Sequence, residues 1–107
     1  MLNASENAIE KEIQEKGLNA PRLTPALIDS VIDNAVYYNF PGTSLTVCNL
    51  TLRNGFSVVG KSAAASLENF DKAIGEKIAF DDARDQIWQL EGYLLRQKLF
   101  DGEITDV

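Results

Sequence analysis

The chain has 107 residues, a formal net charge of −6, an apolar content of 45%, one cysteine (Cys48) and no histidine. That size and composition describe one folded domain with a single core. The acidic balance argues against a DNA or RNA polymer as partner, and the missing residue types exclude an intramolecular disulfide, a Cys/His zinc site and Ser-His or Cys-His catalysis.

Residues 3 to 17 read as a first helix. Asn3 stands as N-cap with Glu6 three places on, and Gly17 as the residue just past the end. Ile9 and Ile13 make only a thin apolar stripe, so this helix is expected to dock weakly. Pro21 lies in a linker. Thr24-Pro25 opens a second helix, Thr as cap and Pro at the first helical position. Leu27, Ile28, Val31, Ile32 and Ala35 would form its buried stripe. Tyr37, Tyr38 and Phe40 precede a Pro41-Gly42 turn and are expected as an aromatic plug or a short strand.

Leu45 to Ser62 organises the chain. Two apolar-rich runs flank Asn54-Gly55, the pair that suits a two-residue type I′ hairpin turn. That turn would set Arg53 against Phe56, Thr51 against Val58 and Asn49 against Gly60. One face would carry Thr46, Cys48, Leu50, Leu52, Ser57, Val59 and Lys61 and meet the helices. The other still holds Leu45, Val47, Phe56 and Val58. A two-stranded hairpin is marginal alone, so this second face or the outer edge should be covered by the N-terminal segment or by another subunit.

Ser66 is expected to cap a third helical region reaching about Leu99. Phe70, Ile74 and Ile78 mark one stripe; Ala73, Phe80, Ala83, Ile87, Leu90 and Leu94 mark another. Asp81, Asp82 and Asp85 interrupt the first, which predicts a bend or break near Gly75 or Phe80. Residues 101 to 107 read as a disordered acidic tail. No apolar run approaches the roughly 18 residues of a membrane span, and the start lacks a signal-peptide layout, so the expected location is the cytoplasm.

The fold expected is α+β: N-terminal helices, a small antiparallel sheet built on a hairpin, then a helical pair or one long bent helix, all in a single domain. Candidate ligand-binding residues follow from chemistry. Arg84, Trp88, Tyr93 and Arg96 combine cations and aromatic rings on one helix. Asn69 and Phe70 sit where a helix start offers free N–H groups. Arg53 and Phe56 flank the hairpin tip, and Lys61 with Ser62 closes the hairpin. The carboxylates Asp81, Asp82, Asp85 and Glu91 fit a solvated acidic face better than a divalent-ion site. No nucleophile–base pair stands out, so no catalytic residue, metal or cofactor is assigned.

Together these motifs resemble a family of small tailed-phage and prophage proteins named from genes of podoviruses of enteric bacteria. The resemblance covers roughly residues 20 to 100. It rests on Cys48, on Leu50-Thr-Leu-Arg-Asn-Gly-Phe-Ser-Val-Val-Gly-Lys-Ser-Ala63, on Glu68-Asn-Phe-Asp71 and on Ile87-Trp-Gln-Leu-Glu-Gly-Tyr-Leu-Leu95. The chain departs from relatives at Lys61, where an acidic residue is frequent, at Ala64, where cysteine is, and at Gln89, where proline is. The last departure favours a continuous C-terminal helix. The layout is also similar to phage anti-defence sponges, oligomers that bind cyclic nucleotide immune signals such as the cyclic ADP-ribose isomers of Thoeris systems. That likeness implies a non-catalytic homo-oligomer holding a cyclic nucleotide at a subunit interface. The alternative is a phage accessory protein that binds a host protein through its apolar hairpin and helix surface.

Overall fold

A computed structural model describes residues 4–104. The order of elements is α1 (Ala4–Glu15), α2 (Pro25–Ser30), β1 (Ile32–Asn39), β2 (Thr46–Leu52), β3 (Ser57–Ser62) and α3 (Lys72–Phe100), with a 3-10 turn at Leu67–Asn69. The fold is α+β, as the sequence predicts. Residues 31–87 form one compact unit, and the segments before and after them form a second.

In the first unit the three strands make an antiparallel sheet in the order β1-β2-β3. β1 pairs along the outer edge of β2, with Tyr37 opposite Cys48 and Ala35 opposite Leu50. The edge that a lone hairpin would leave open is thus filled by the chain's own preceding segment. This overturns the long second helix. Thr24 does cap α2, its Oγ1 accepting from the Leu27 N–H at 3.1 Å, but α2 stops at Ser30. Ile32 and Ala35 belong to the strand, and Val31 to the turn before it, because β-branched and aromatic residues crowd this stretch and alternate faces.

The hairpin forms, but around a three-residue loop. Leu52 donates its N–H to the Phe56 carbonyl at 2.7 Å, and Gly55 donates to Leu52 at 2.9 Å. Within the loop only Gly55 has positive φ, at 90°, and among the described residues no non-glycine residue does. This is a type I turn closed by a glycine bulge, not the type I′ turn. Asn54 serves it differently, its Oδ1 accepting from the Phe56 N–H at 3.0 Å. One extra loop residue shifts the register, so that Leu50 faces Val58, Asn49 faces Val59 and Cys48 faces Gly60. A one-residue slip exchanges the faces of β3. Val58 and Gly60 are therefore buried with Thr46, Cys48, Leu50 and Leu52, while Ser57, Val59 and Lys61 point outward.

α3 is one uninterrupted helix of 29 residues, and its part up to Ile87 covers the buried face. The expected break near Gly75 or Phe80 is absent. The core residues on it are Gly75, Ala79, Ala83, Arg84 and Ile87, whereas Ile74 and Ile78 from the expected stripe are each about half exposed. Small residues win because the sheet comes very close. A Cβ on Gly60 would overlap the Ala79 carbonyl and the Ala83 backbone. The same approach lets α3 cap the outer edge of β3. Asp82 Oδ2 accepts from the Lys61 N–H at 2.9 Å, and Gln86 Nε2 donates to the Val59 carbonyl. Covering an exposed strand edge in this way removes a template for wrong pairing.

α3 starts later than Ser66. Ser66 caps only the 3-10 turn, accepting from the Glu68 N–H. Asp71 caps α3 itself, its Oδ1 accepting from the Ile74 N–H at 2.9 Å. At the other end Gly102 and Glu103 donate to the Leu99 and Lys98 carbonyls, a glycine-ended helix stop. Residues 101–104 of the expected disordered tail are therefore ordered as that stop. The rest of the tail, like Asn3, lies outside the described residues.

In the second unit Gly17 ends α1 as expected, with φ of 66°. α1 is tied to the linker by Arg22, whose Nη1 and Nη2 reach the two Glu10 carboxylate oxygens at 2.8 Å each. Paired N–H···O bonds of this kind are stronger than a point-charge contact.

Two predictions follow from these contacts. Gly60→Ala should lower the unfolding free energy by at least about 2 kcal/mol, read as a fall in urea midpoint. Gly92→Ala is the control, because a Cβ there meets only Leu23 Cδ1 at 3.7 Å. It should leave stability unchanged or raise it by up to about 1 kcal/mol through helix propensity. For α1, the Arg22 fork holds the Glu10 carboxyl at about 2 against an ordinary value of 4.5. A carboxylate depressed on folding contributes fully above its unfolded value and loses that contribution as pH falls through the folded one. Protection factors of the α1 amides, taken against the intrinsic exchange rate at each pH, should hold steady from about pH 7 to 4.5 and fall between 4.5 and 2. Glu10→Gln should show the reduced protection already at neutral pH.

Candidate functional site

A groove of ≈ 140 Å³ opens where β3 ends and α3 begins. Ser44, Ser62, Ala63 and Ala64 form one wall, Asn69, Phe70 and Asp71 a second, and Ile74, Gly75 and Ile78 the floor along α3. Each wall is fixed locally. Ser62 Oγ donates to the Gly75 carbonyl at 2.6 Å, which ties the end of β3 to the first turn of α3. Ser44 Oγ donates to the Ala64 carbonyl at 2.6 Å, which ties down the connector. Phe70 leaves the 3-10 turn with extended backbone, its N–H bonded to Leu67. Its ring lies over Gly75, where a Cβ would meet Phe70 Cε1 and Thr46 Oγ1 at 3.3 Å each. Thr46 is 1% exposed, and its hydroxyl has no hydrogen-bond partner.

The groove offers an aromatic ring, an exposed amide at Asn69 and small apolar walls. No cation lines it. Its one carboxylate, Asp71, is engaged in capping α3. The arrangement suits an uncharged ring with an edge to be hydrogen-bonded.

Two stretches singled out from sequence, Ser62 and Asn69-Phe70, meet here. Lys61 does not join them, since it points from the opposite face of β3. Arg53 and Phe56 sit at the far end of the hairpin, both exposed, about 20 Å away along a strand of six residues. Arg84 is 2% exposed, so its guanidinium belongs to the interior and is not presented to a ligand. Trp88 is half-buried and lines a separate hollow of ≈ 290 Å³ with Ile9, Ile13, Leu23 and Pro25. The other lining residues are Glu6 and Glu10, which makes that hollow acidic at its polar points. Tyr93 and Arg96 are exposed near the end of α3. The expected cluster of Arg84, Trp88, Tyr93 and Arg96 therefore does not converge on one surface.

Sequence reasoning missed Asp71 as the helix cap and Asp82 with Gln86 as the clamp on β3. The i, i+4 spacing of Asp82 and Gln86 was visible, but their target is a strand more than twenty residues away. Cys48 has no exposed surface. Cys48 lies opposite Tyr37 across the β1–β2 pair, and burial pushes both groups up in pKa. The thiol is thus protonated at neutral pH and shielded.

Among the described residues no cluster of His, Cys, Asp and Glu is arranged to hold a metal ion, and no helix is long and apolar enough to cross a membrane. Among curated proteins and solved structures, nothing matches the chain. A family model does match it over residues 23–99, from the linker before α2 to the penultimate residue of α3. The match takes in all three strands, the groove and nearly all of α3, and on that evidence the chain belongs to the phage protein (N4 Gp49/phage Sf6 gene 66) family.

Proposed function

We propose that this phage protein is a non-catalytic binder that sequesters a small cyclic nucleotide, a cyclic ADP-ribose isomer or a cyclic oligonucleotide made as an immune signal. The observation that carries the reading is the convergence of Phe70, Asn69 and Ser62 on one groove. A base would lie against the Phe70 ring, with its edge toward the Asn69 amide. Base–aromatic stacking supplies affinity that does not depend on charge. The groove itself has no cation, so the phosphates would remain outside it. Lys72, the first residue of α3, stands next in the chain to Asp71 of the groove, where it would meet them. The phage family membership supports such a role, since a signal made by the infected cell is a target that a small phage protein gains from removing.

Isothermal titration calorimetry against a panel of cyclic ADP-ribose isomers and cyclic di- and trinucleotides tests it. At least one ligand should bind, and Phe70→Ala and Asn69→Ala should each weaken it by about tenfold or more, the scale of one lost stacking or hydrogen-bonding contact. Phe56→Ala should leave it unchanged. No heat with any ligand at about 100 µM protein, a regime that registers even micromolar affinity, would sink the reading.

A second reading has its own observation. Phe56 is 54% exposed at the hairpin tip, and Arg53 in the same loop is exposed as well, an aromatic and an arginine of the residue types that anchor protein interfaces. In this reading the protein grips a host protein through the tip. Affinity capture from host lysate should then lose its specific partner on Phe56→Ala and keep it on Phe70→Ala, the reverse of the calorimetric pattern.

A further inference from the structure

The sheet face turned away from α3 is a regular three-by-three array. Asn34, Thr51 and Ser57 form one row across β1, β2 and β3; Val36, Asn49 and Val59 form the next; Tyr38, Val47 and Lys61 form the third. Val36, Tyr38 and Val59 are each more than half exposed. Asn49 stands at the centre, and its side-chain oxygen is shielded from water with no hydrogen-bond partner. In a chain of net charge −6 the nine positions of this array include no carboxylate, although the exposed Asp33 stands beside Asn34 at the β1 bulge.

We propose that this face binds a second copy of the chain, around a two-fold axis that runs along β2 and brings the two Asn49 amides together. The inference goes beyond the binding role proposed above and does not rest on it: it names a surface that joins two copies and leaves each groove open.

Three features favour a copy of the same chain over an unrelated partner. A primary amide carries both a donor and an acceptor, so Asn49 is satisfied by its own image across a two-fold, where each residue meets its counterpart. The spacing agrees. Facing sheets lie about 10 Å apart, and two asparagine side chains each reach roughly 3.5 Å beyond Cα, which leaves hydrogen-bond distance between them. The rows also match themselves. Rotation about β2 exchanges β1 with β3, so Val36 covers Val59 of the other copy, Asn34 covers Ser57, and Tyr38 covers Lys61, a cation over an aromatic ring. The array itself holds no carboxylate, and the nearest one in β1, Asp33, stands at its end beside Asn34.

The array measures about 14 by 20 Å, below the ≈ 800 Å² per partner of standard stable interfaces. The dimer is therefore reversible, with a Kd weaker than about 1 µM.

Sedimentation velocity of the whole protein without ligand, from about 5 to 500 µM, a range that brackets such a Kd, reads this separately from nucleotide binding. Wild type should pass from monomer to dimer. Val36→Lys should stay monomeric, with circular dichroism confirming its fold. Asn49→Asp is the sharper variant. At pH 7 it should be monomeric, because two carboxylates face each other at the axis. Near pH 5 it should regain the dimer, as such a pair shares a proton with a raised pKa. The other titratable or charged groups on or beside the face are Lys61, Tyr38, Asp33 at the β1 bulge and Arg53 at the hairpin end; all are shared with wild type, which should show no such reversal. A wild-type monomer at the highest concentration overturns the proposal and leaves the face to a different partner. Dimerisation of Asn49→Asp at pH 7 as strong as that of wild type also overturns it.

Discussion

The contact between Gly60 and the Ala79–Ala83 segment of α3 governs the arrangement of the sheet unit. Where a strand runs this close to a helix backbone, neither side has room for more than a hydrogen or a methyl group. The helix therefore spends its core positions on Gly75, Ala79 and Ala83. Bulk comes from the sheet instead, through Leu50, Leu52, Val58 and the Cys48–Tyr37 pair. The close approach also sets what the neighbouring helix positions do. Asp82 and Gln86 flank the contact and reach the open main-chain groups of β3, and Gly75 comes near enough for the Ser62 hydroxyl to bond its carbonyl. Closeness at one glycine thus positions both the edge clamp and the groove wall.

The same contact explains why parts of the fold were hidden in the sequence. Glycine and alanine on a helix give no hydrophobic signal, whereas Ile74 and Ile78 give a strong one and yet lie at the surface. The pairing of Gly60 with Ala79 and Ala83 is tertiary and has no local trace. The hairpin was legible and its register was not. Asn-Gly serves a two-residue type I′ loop, but it equally serves a type I turn with glycine in the bulge. Alternation in β3 would normally break that tie. Here Val58 and Val59 are adjacent, so either register buries a valine. Residues 31–38 posed the other ambiguity. Their apolar positions fit a helical stripe and a strand alternation alike, and the need of β2 for a partner on its free edge decides for the strand.

The candidate site was partly readable for the opposite reason. Ser62, Asn69 and Phe70 lie at element ends, where caps and turns leave strong local marks, and element ends are what the groove is made of. The arginine-and-tryptophan reading of α3 failed at Arg84 because helical spacing says which residues share a stripe, not which stripe is buried. In a helix whose core face is built from alanine and glycine, a long arginine stem packs on the same side as the small residues.

The sheet has two faces with different tasks, and the register is what keeps them apart. Alternation sends Thr46, Cys48, Gly60 and Ser62 toward α3 and the groove, and Val47, Asn49, Val59 and Lys61 to the other side. A join built on the outer face therefore covers neither Phe70 nor Asn69. Each copy keeps its groove, so two copies carry two independent sites, and ligand binding has no direct mechanical reason to depend on association. Cooperativity between such sites would require the sheet itself to shift. The tight contact at Gly60 resists that, since a packed backbone-to-backbone approach has no slack through which a small displacement can pass.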